Sequence, residues 1–356
     1  MNKKIAVLSG DGIGPEIMDE AIKVLKKIES VFGHSFTYVY GSIGGQAWDT
    51  YGNHFPEETA QICKNADAIL FGSVGGAIDQ QHLPKWRNCE RNSILAIRKE
   101  LGLMCNLRPV QSFKGASNEA DLMCVRELSE DVYFGPHETI VVEGERVARD
   151  VMIYHESTIR AIAHQAFQIA MSRRKKVTSV DKANVLDCSK LWREVVTEVS
   201  KGYPECTLEH MLVDNCAMQL MKNPTAFDVL LMPNLFGDIL SDLASVLGGS
   251  LGMLPSASLN NQGIGLYEPA GGSAPDIVGK GIANPIGQIL SAALMLKHSF
   301  GMEDEHDAIV EAVKKAIQEG YRTPDIAGGE KSYSTAEMGN AIIKFINKNK
   351  KRGQHE

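Results

Sequence analysis

Residues 5–29 read IAVLSGDGIGPEIMDEAIKVLKKIE, and the order of events in them decides the fold class. Residues 5–8 are a short apolar run ended by Ser9 and Gly10, the pattern of a buried strand. Gly10, Gly12 and Gly14 then mark a turn. Pro15 suits the first turn of a helix, and Glu16 complements that helix's positive end. Residues 16–29 repeat apolar side chains at helical spacing. The stretch is therefore one strand–turn–helix unit. It invites a dinucleotide reading, but the third glycine of G-x-G-x-x-G would fall at position 15, which is Pro15. A tight strand-to-helix turn is the plainer account, and a dinucleotide, if bound, is not held in the Rossmann manner.

The same alternation continues outward along the chain. Residues 68–71, 123–126, 177–180, 211–213 and 227–232 read as further strands. Residues 93–101, 158–172 and 191–200 read as helices between them. This predicts an α/β protein with a largely parallel sheet. Residues 135–154 alternate without helical periodicity and predict a hairpin-like excursion, an arm suited to pairing with a second subunit. The last ten residues, 347–356, read as a solvated tail.

The chain has 356 residues, a length that favours two domains over one. Its net charge of -7 argues against a general nucleic-acid binder, though not against a local basic pocket for an acidic small molecule. The seven cysteines are scattered singly and predict reduced thiols in a cytoplasmic protein. Residues 5–8 are too short for a signal-peptide core, and no apolar run has spanning length.

Asp238 and Asp242 are four residues apart after the strand at 227–232, so on a helix they share a face. Like charges at that spacing repel unless a cation sits between them. Exposed acids at this spacing are also common on plain surface helices. With no His or Cys nearby, their hard oxygen donors suit Mg²⁺ or Mn²⁺ rather than zinc. Asp214 and Lys182 each follow a strand, at the sheet edge where open α/β folds bind ligands. Lys182 reads either as a structural ion-pair partner or as a base. Arg98, Arg108 and Arg126 lie in or beside apolar segments and suit a pocket that grips carboxylates. Tyr133 is by default a core aromatic, and beside such a pocket a proton donor. A second glycine cluster, residues 268–276 (EPAGGSAPD), suits a loop folded around a ligand, with Asp276 able to accept hydrogen bonds from a ribose diol. Together these parts suit oxidation of a hydroxyl β to a carboxylate followed by loss of CO₂.

Long motifs carry a resemblance that runs from Ile5 to about Ile346. They are LSGDGIGPEIM at 8–18, AIRKELGLMCNLRPV at 96–110, VRELSEDVYFG at 125–135, VTSVDKANVL at 177–186, FGDILSDLASVLGGSLGMLPSASL at 236–259 and the segment 267–296 beginning YEPAGGSAPDIVGKG. In these the chain resembles the isocitrate/isopropylmalate dehydrogenase family, and within it the members acting on 3-isopropylmalate. The resemblance implies a non-Rossmann fold of two α/β domains sharing a mixed, largely parallel sheet. A cofactor-side domain would comprise residues 1–103 and 250–356. A substrate, metal and dimerisation domain would comprise residues 104–249, with the arm at about 135–155. It further implies substrate contacts from Arg98, Arg108, Arg126 and Asp214, and metal ligands at Asp214, Asp238 and Asp242, with Asp214 contributed across a homodimer. Lys182 and Tyr133 would be the acid–base pair. NAD would lie against Ile13, Ala77, Glu90, Glu268, Gly272, Ser273, Ala274, Asp276 and Asn284. An acid at position 276 repels a 2′-phosphate and so favours NAD over NADP. Ile94, Leu95 and Val185 would line an apolar γ-pocket, which suits an isopropyl group and leaves a γ-carboxylate without a partner. The nearest alternatives are D-malate, tartrate or homoisocitrate dehydrogenases of the same family. A phosphate-linked acyltransferase on a similar scaffold would leave Asp276, Lys182 and the Asp238/Asp242 pair without a shared task.

Overall fold

The computed structural model describes residues 1–112 and 120–348. Most of the tail read as solvated, from residue 349 onward, lies outside the described residues. The chain divides into two compact units, Met1–Leu101 with Gly249–Glu356, and Gly102–Gly248. Among the described residues the strands in chain order are β1 (Asn2–Gly10), β2 (Ser35–Tyr40), β3 (Ala68–Ser73), β4 (Cys105–Gln111), β5 (Asp121–Glu127) and β6 (His137–Val142). They continue with β7 (Glu145–Asp150), β8 (Lys176–Asp181), β9 (Thr207–Leu212), β10 (Val229–Met232), β11 (Pro255–Leu259) and β12 (Gly265–Pro269). The architecture is mixed, largely parallel α/β, as expected.

In the first unit the strand order is β2-β1-β3-β12-β11. β1 runs parallel to β2 and β3, β12 parallel to β3, and β11 antiparallel to β12. Ile5, Ala6, Val7 and Leu8 are all fully buried, as a parallel strand covered on both faces requires. Helix Gly14–Phe32 buries Ile17, Ala21, Val24, Leu25 and Ile28 on one stripe. Helix Ile286–His298 is buried nearly all round. Helix Thr335–Phe345 starts with a capping box, Ser334 accepting from the Glu337 amide and Glu337 reaching back to Ser334. Such a cap contributes about 1 kcal/mol.

The glycine-rich turn has a structural explanation. Gly10 (φ +69°) and Gly12 (φ +61°) adopt left-handed backbone. A Cβ on Gly10 would strike the Ser73 carbonyl oxygen, and one on Gly12 the Ser273 carbonyl oxygen. The Ile13 amide donates to that same Ser273 oxygen at 2.9 Å. The space the glycines leave is filled by the chain's own backbone rather than by a pyrophosphate. The tight-turn reading therefore holds, and the fold is not a Rossmann fold.

In the second unit the order is β4-β5-β10-β8-β9. β5, β10, β8 and β9 are mutually parallel, so their carboxyl ends share one edge, while β4 is antiparallel to β5. Val229 to Met232 are fully buried. Helices Glu156–Met171 and Asp187–Ser200 pack together, and the second buries Trp192, whose indole donates to Ser179 Oγ at 3.1 Å. β6 and β7 form the expected hairpin, registered from His137↔Asp150 to Val142↔Glu145. Glu143 and Gly144 both have positive φ, the geometry of a tight two-residue hairpin turn.

Several element bounds differ from the sequence reading; helix Asp187–Ser200, for one, opens four residues before the start read at 191. The strand read at 211–213 ends at Leu212, and Val213 opens helix Val213–Lys222. β9 begins four residues earlier, at Thr207, because it is a half-exposed edge strand whose Thr, Glu and His side chains mask it as an apolar run. The strand read at 227–232 begins at Val229, since Phe227 closes a 3₁₀ turn at Pro224–Ala226. The helix read at 93–101 opens with a π-helical turn, Arg91–Leu95, followed by the α-helical turn Ala96–Glu100. Among the described residues no helix is long and apolar enough to cross a membrane.

Candidate active site

The parallel strands of the second unit deliver polar residues to one edge. Arg126 is the penultimate residue of β5, and Lys182 follows β8 directly. Asp214 lies in the first turn after β9. Helix Asn234–Ser245, after β10, carries Asp238 and Asp242 one turn apart. β4 adds Arg108, and its Asn106 lies opposite Arg126.

These side chains form one network. Arg126, only 2% exposed, forks onto Asn234 Oδ1 through Nε (3.0 Å) and Nη2 (2.7 Å), and its Nη1 pairs with Asp238. Tyr133 donates its hydroxyl to Asp238 Oδ2 at 2.8 Å, with the Arg126 guanidinium 5.6 Å from its ring centre. Arg108 donates to Asn106 Oδ1 (2.9 Å), Ser241 Oγ (2.8 Å) and Asp242 Oδ1 (2.8 Å), and lies 3.6 Å from Asp238. Burying a guanidinium without an opposite charge costs several kcal/mol. The two acids and the two arginines are thus mutually dependent. Asp242 remains half-exposed, yet partial desolvation raises its carboxyl above the ordinary value, with Arg108 opposing the rise and Asp238 adding to it.

Lys182 Nζ donates to Asp214 Oδ1 at 2.5 Å, and this bond holds the Asp214 carboxyl below its ordinary value. Both groups are solvent-accessible, in contrast to the buried arginines. Among the described residues no three His, Cys, Asp or Glu side chains come together as a metal site. Asp238 and Asp242 offer hard oxygen donors of the kind Mg²⁺ or Mn²⁺ takes. Val185 lies beyond Lys182 and is 64% exposed.

In the first unit, Arg98 is buried and its Nη2 donates to Glu268 Oε1 at 3.0 Å. Arg98 Nε is buried with no hydrogen-bond partner, an unused donor on a fixed cation. Ile94 and Leu95, on the π-helical turn one helical turn before Arg98, are half-buried. The loop after β12 is shaped by Ala274 at φ +41°, by Ser273 bonded to the Ile13 amide, and by Asp276 on an exposed 3₁₀ turn. Gly272 faces open space. Ala77 precedes a 3₁₀ turn, and Glu90 Oε1 lies over Gly75. Asn284 is committed within the fold, accepting from the Ile286 amide (3.0 Å) and donating to Asp325 (3.0 Å). Asn234, Ser241 and Asn106 escaped the sequence reading. Uncharged residues carry no charge signal; only the register of Asn106 opposite Arg126, and the helix that carries Asn234 and Ser241 to the arginines, mark them.

Comparison with known proteins places the fold in a family. The family described as isocitrate/isopropylmalate dehydrogenase matches residues 4–342. A 3-isopropylmalate dehydrogenase of Haemophilus influenzae is 52% identical, over 96% of this chain and 99% of that one. The crystal structure of an isocitrate dehydrogenase from Methylococcus capsulatus superposes with a TM-score of 0.88 at 36% identity, covering 97% of this chain and 99% of that one. A beta-decarboxylating dehydrogenase from Thermococcus kodakarensis gives 0.79 at 38% identity, covering 97% and 96%. By the extent of these matches, the chain belongs to the isocitrate/isopropylmalate dehydrogenase family.

Proposed function

We propose that the protein oxidises and decarboxylates (2R,3S)-3-isopropylmalate to 4-methyl-2-oxopentanoate and CO₂, reducing NAD to NADH, as a step of leucine biosynthesis. The observation that carries the reading is the paired Arg108–Asp242 and Arg126–Asp238 network at the carboxyl edge of the parallel strands. It stands together with 52% identity to a 3-isopropylmalate dehydrogenase over nearly the whole chain. The better match to that relative than to the isocitrate dehydrogenase, and the apolar Ile94–Leu95 pair, favour an isopropyl over a carboxylate γ-group.

In this reading Arg98, Arg108 and Arg126 hold the substrate carboxylates. Arg98 brings a guanidinium already held in place by Glu268. Asp238 and Asp242 hold a divalent cation, completed by Asp214 from a second copy. A cation held there would supply electrophilic stabilisation, and NAD would take the hydride. Lys182 takes the hydroxyl proton, and Tyr133 returns a proton to the enol carbon once CO₂ has left. The loop at 272–276, together with Ile13, Ala77, Glu90, Glu268 and Asn284, serves NAD, so the first unit is the cofactor side. The second unit carries the metal ligands and the dimer contact. The reading of a homodimer is supported by the two-sided exposure of the β6–β7 hairpin, where Val141 is 69% and Val142 40% exposed.

The test is a substrate panel. NADH should form with 3-isopropylmalate, NAD and Mg²⁺ or Mn²⁺, and fail to form at comparable rates with isocitrate, D-malate, tartrate or homoisocitrate. Turnover of one of those acids without turnover of 3-isopropylmalate overturns the substrate. Separately, Asp276→Ala should narrow the preference for NAD over NADP, and unchanged selectivity removes that role from Asp276.

A further inference from the structure

The structure ties the backbone of Lys182 at each of its polar groups. Its amide donates to Ser189 Oγ at 3.0 Å. Its carbonyl accepts from the amides of Val185 and Leu186, both at 3.0 Å. The next amide, that of Ala183, donates to Asp181 Oδ1 at 2.9 Å. Asp181 thereby closes an Asx turn with Lys182 as its central residue.

Asp181 is fully buried at the end of β8, where a lone carboxylate is strongly unfavourable. Arg193, two turns along helix Asp187–Ser200 from its start, resolves this with a two-pronged contact. Nε reaches Oδ2 at 2.9 Å and Nη2 reaches Oδ1 at 2.8 Å. Two parallel bonds fix the plane of the carboxylate as well as its charge. The plane of Asp181 decides where Oδ1 meets the Ala183 amide, and so where the Lys182 Cα sits. Ser189 and Arg193 lie on the same helix, so one element grips Lys182 from both sides of the turn. Arg193 also lines an open cavity of about 590 Å³ with Ala183, Asn184, His210 and Asn215.

We propose that Asp181 and Arg193 are positioning residues that place the Lys182 ammonium for its proton transfer. Neither touches the reacting atoms. The inference rests on the assignment of Lys182 as the base. Losing the fork lets the turn relax, and misplacement by about 1 Å is enough to cost roughly 100-fold in rate.

The test is a double-mutant cycle on the dimeric, cofactor-supplied enzyme. Arg193→Ala should lower kcat by roughly 10- to 100-fold with the substrate KM within about twofold. Added guanidinium should restore part of that loss, and Arg193→Lys should fall between the two. Lys182→Met should lower kcat severely, and the Lys182→Met/Arg193→Ala protein should be no slower than Lys182→Met alone. If Arg193→Ala costs the same factor in both backgrounds, the positioning role is overturned while the base assignment stands. If Lys182→Met keeps near-normal turnover, the base assignment falls and this inference with it. If Arg193→Ala proves too unstable to purify, Asp181→Asn supplies the second variant. It keeps an oxygen for the Ala183 amide but weakens the fork, and unchanged kcat in that protein also overturns the role.

Discussion

Asp238 is shared by Arg126 and the Tyr133 hydroxyl, and this sharing sets what a change at either partner does. Tyr133→Phe removes the hydrogen bond and the proposed proton donor but leaves both arginines in place. Its kcat should fall by roughly 100-fold or more, the range of a lost general acid, with KM for the substrate little changed. Near-normal turnover would remove the role. The charged members of the network were legible because an arginine or aspartate bordering an apolar strand is unusual enough to notice. Asn106, Asn234 and Ser241 were not, because amides and hydroxyls occur everywhere, and only the register of β4 on β5 and the packing of helix Asn234–Ser245 bring them to a guanidinium. The same holds for Arg193, whose role depends on facing Asp181 across a turn.

Helices Val213–Lys222 and Asn234–Ser245 pack together and carry Met218, Met221 and Ile239, all at least 40% exposed. Val246, just beyond the second helix, is 58% exposed. Exposed large apolar side chains on two packed helices favour association with another surface. Ile239 lies on the same helix as Asp238 and Asp242, which supports the shared-site dimer proposed above. Met218→Glu combined with Ile239→Glu should shift sedimentation toward the monomer, abolish turnover and leave the helical circular dichroism intact. A fully active monomer would refute the shared site. Strand and helix kinds were readable from periodicity at this scale. The bounds that moved did so where local chemistry hid them: β9 behind polar edge residues, and the π-helical turn at Arg91–Leu95 behind an ordinary helical pattern.

Across the whole molecule the cysteines report how completely the core is closed. Cys63, Cys89, Cys105, Cys124 and Cys216 are buried, and burial pushes each thiol up to about 12. A thiol raised that far stays protonated near neutral pH, and the protonated form is not the nucleophile. Cys188 and Cys206 are partly exposed. Iodoacetamide at mildly alkaline pH should therefore label the native protein at Cys188 and Cys206 and reach the other five only after denaturation. Rapid native labelling of Cys105 or Cys124 would show that the second unit opens far more readily than its packing implies.

The sequence by itself determined the α/β class, the largely parallel sheet, the absence of a Rossmann turn and the identity of the charged residues. Each of these is written in local patterns: buried parallel strands demand continuous apolar runs, and Pro15 occupies a position the fingerprint needs for glycine. Only the tertiary structure decided which groups neutralise which. That Arg108 takes Asp242, Arg126 takes Asp238, Arg98 takes Glu268 and Arg193 takes Asp181 depends on side chains up to 170 residues apart being brought within hydrogen-bond reach. Spacing along the chain carries no information about contacts of that range. Burial, which makes each pairing obligatory, exists only once the sheet has closed over them.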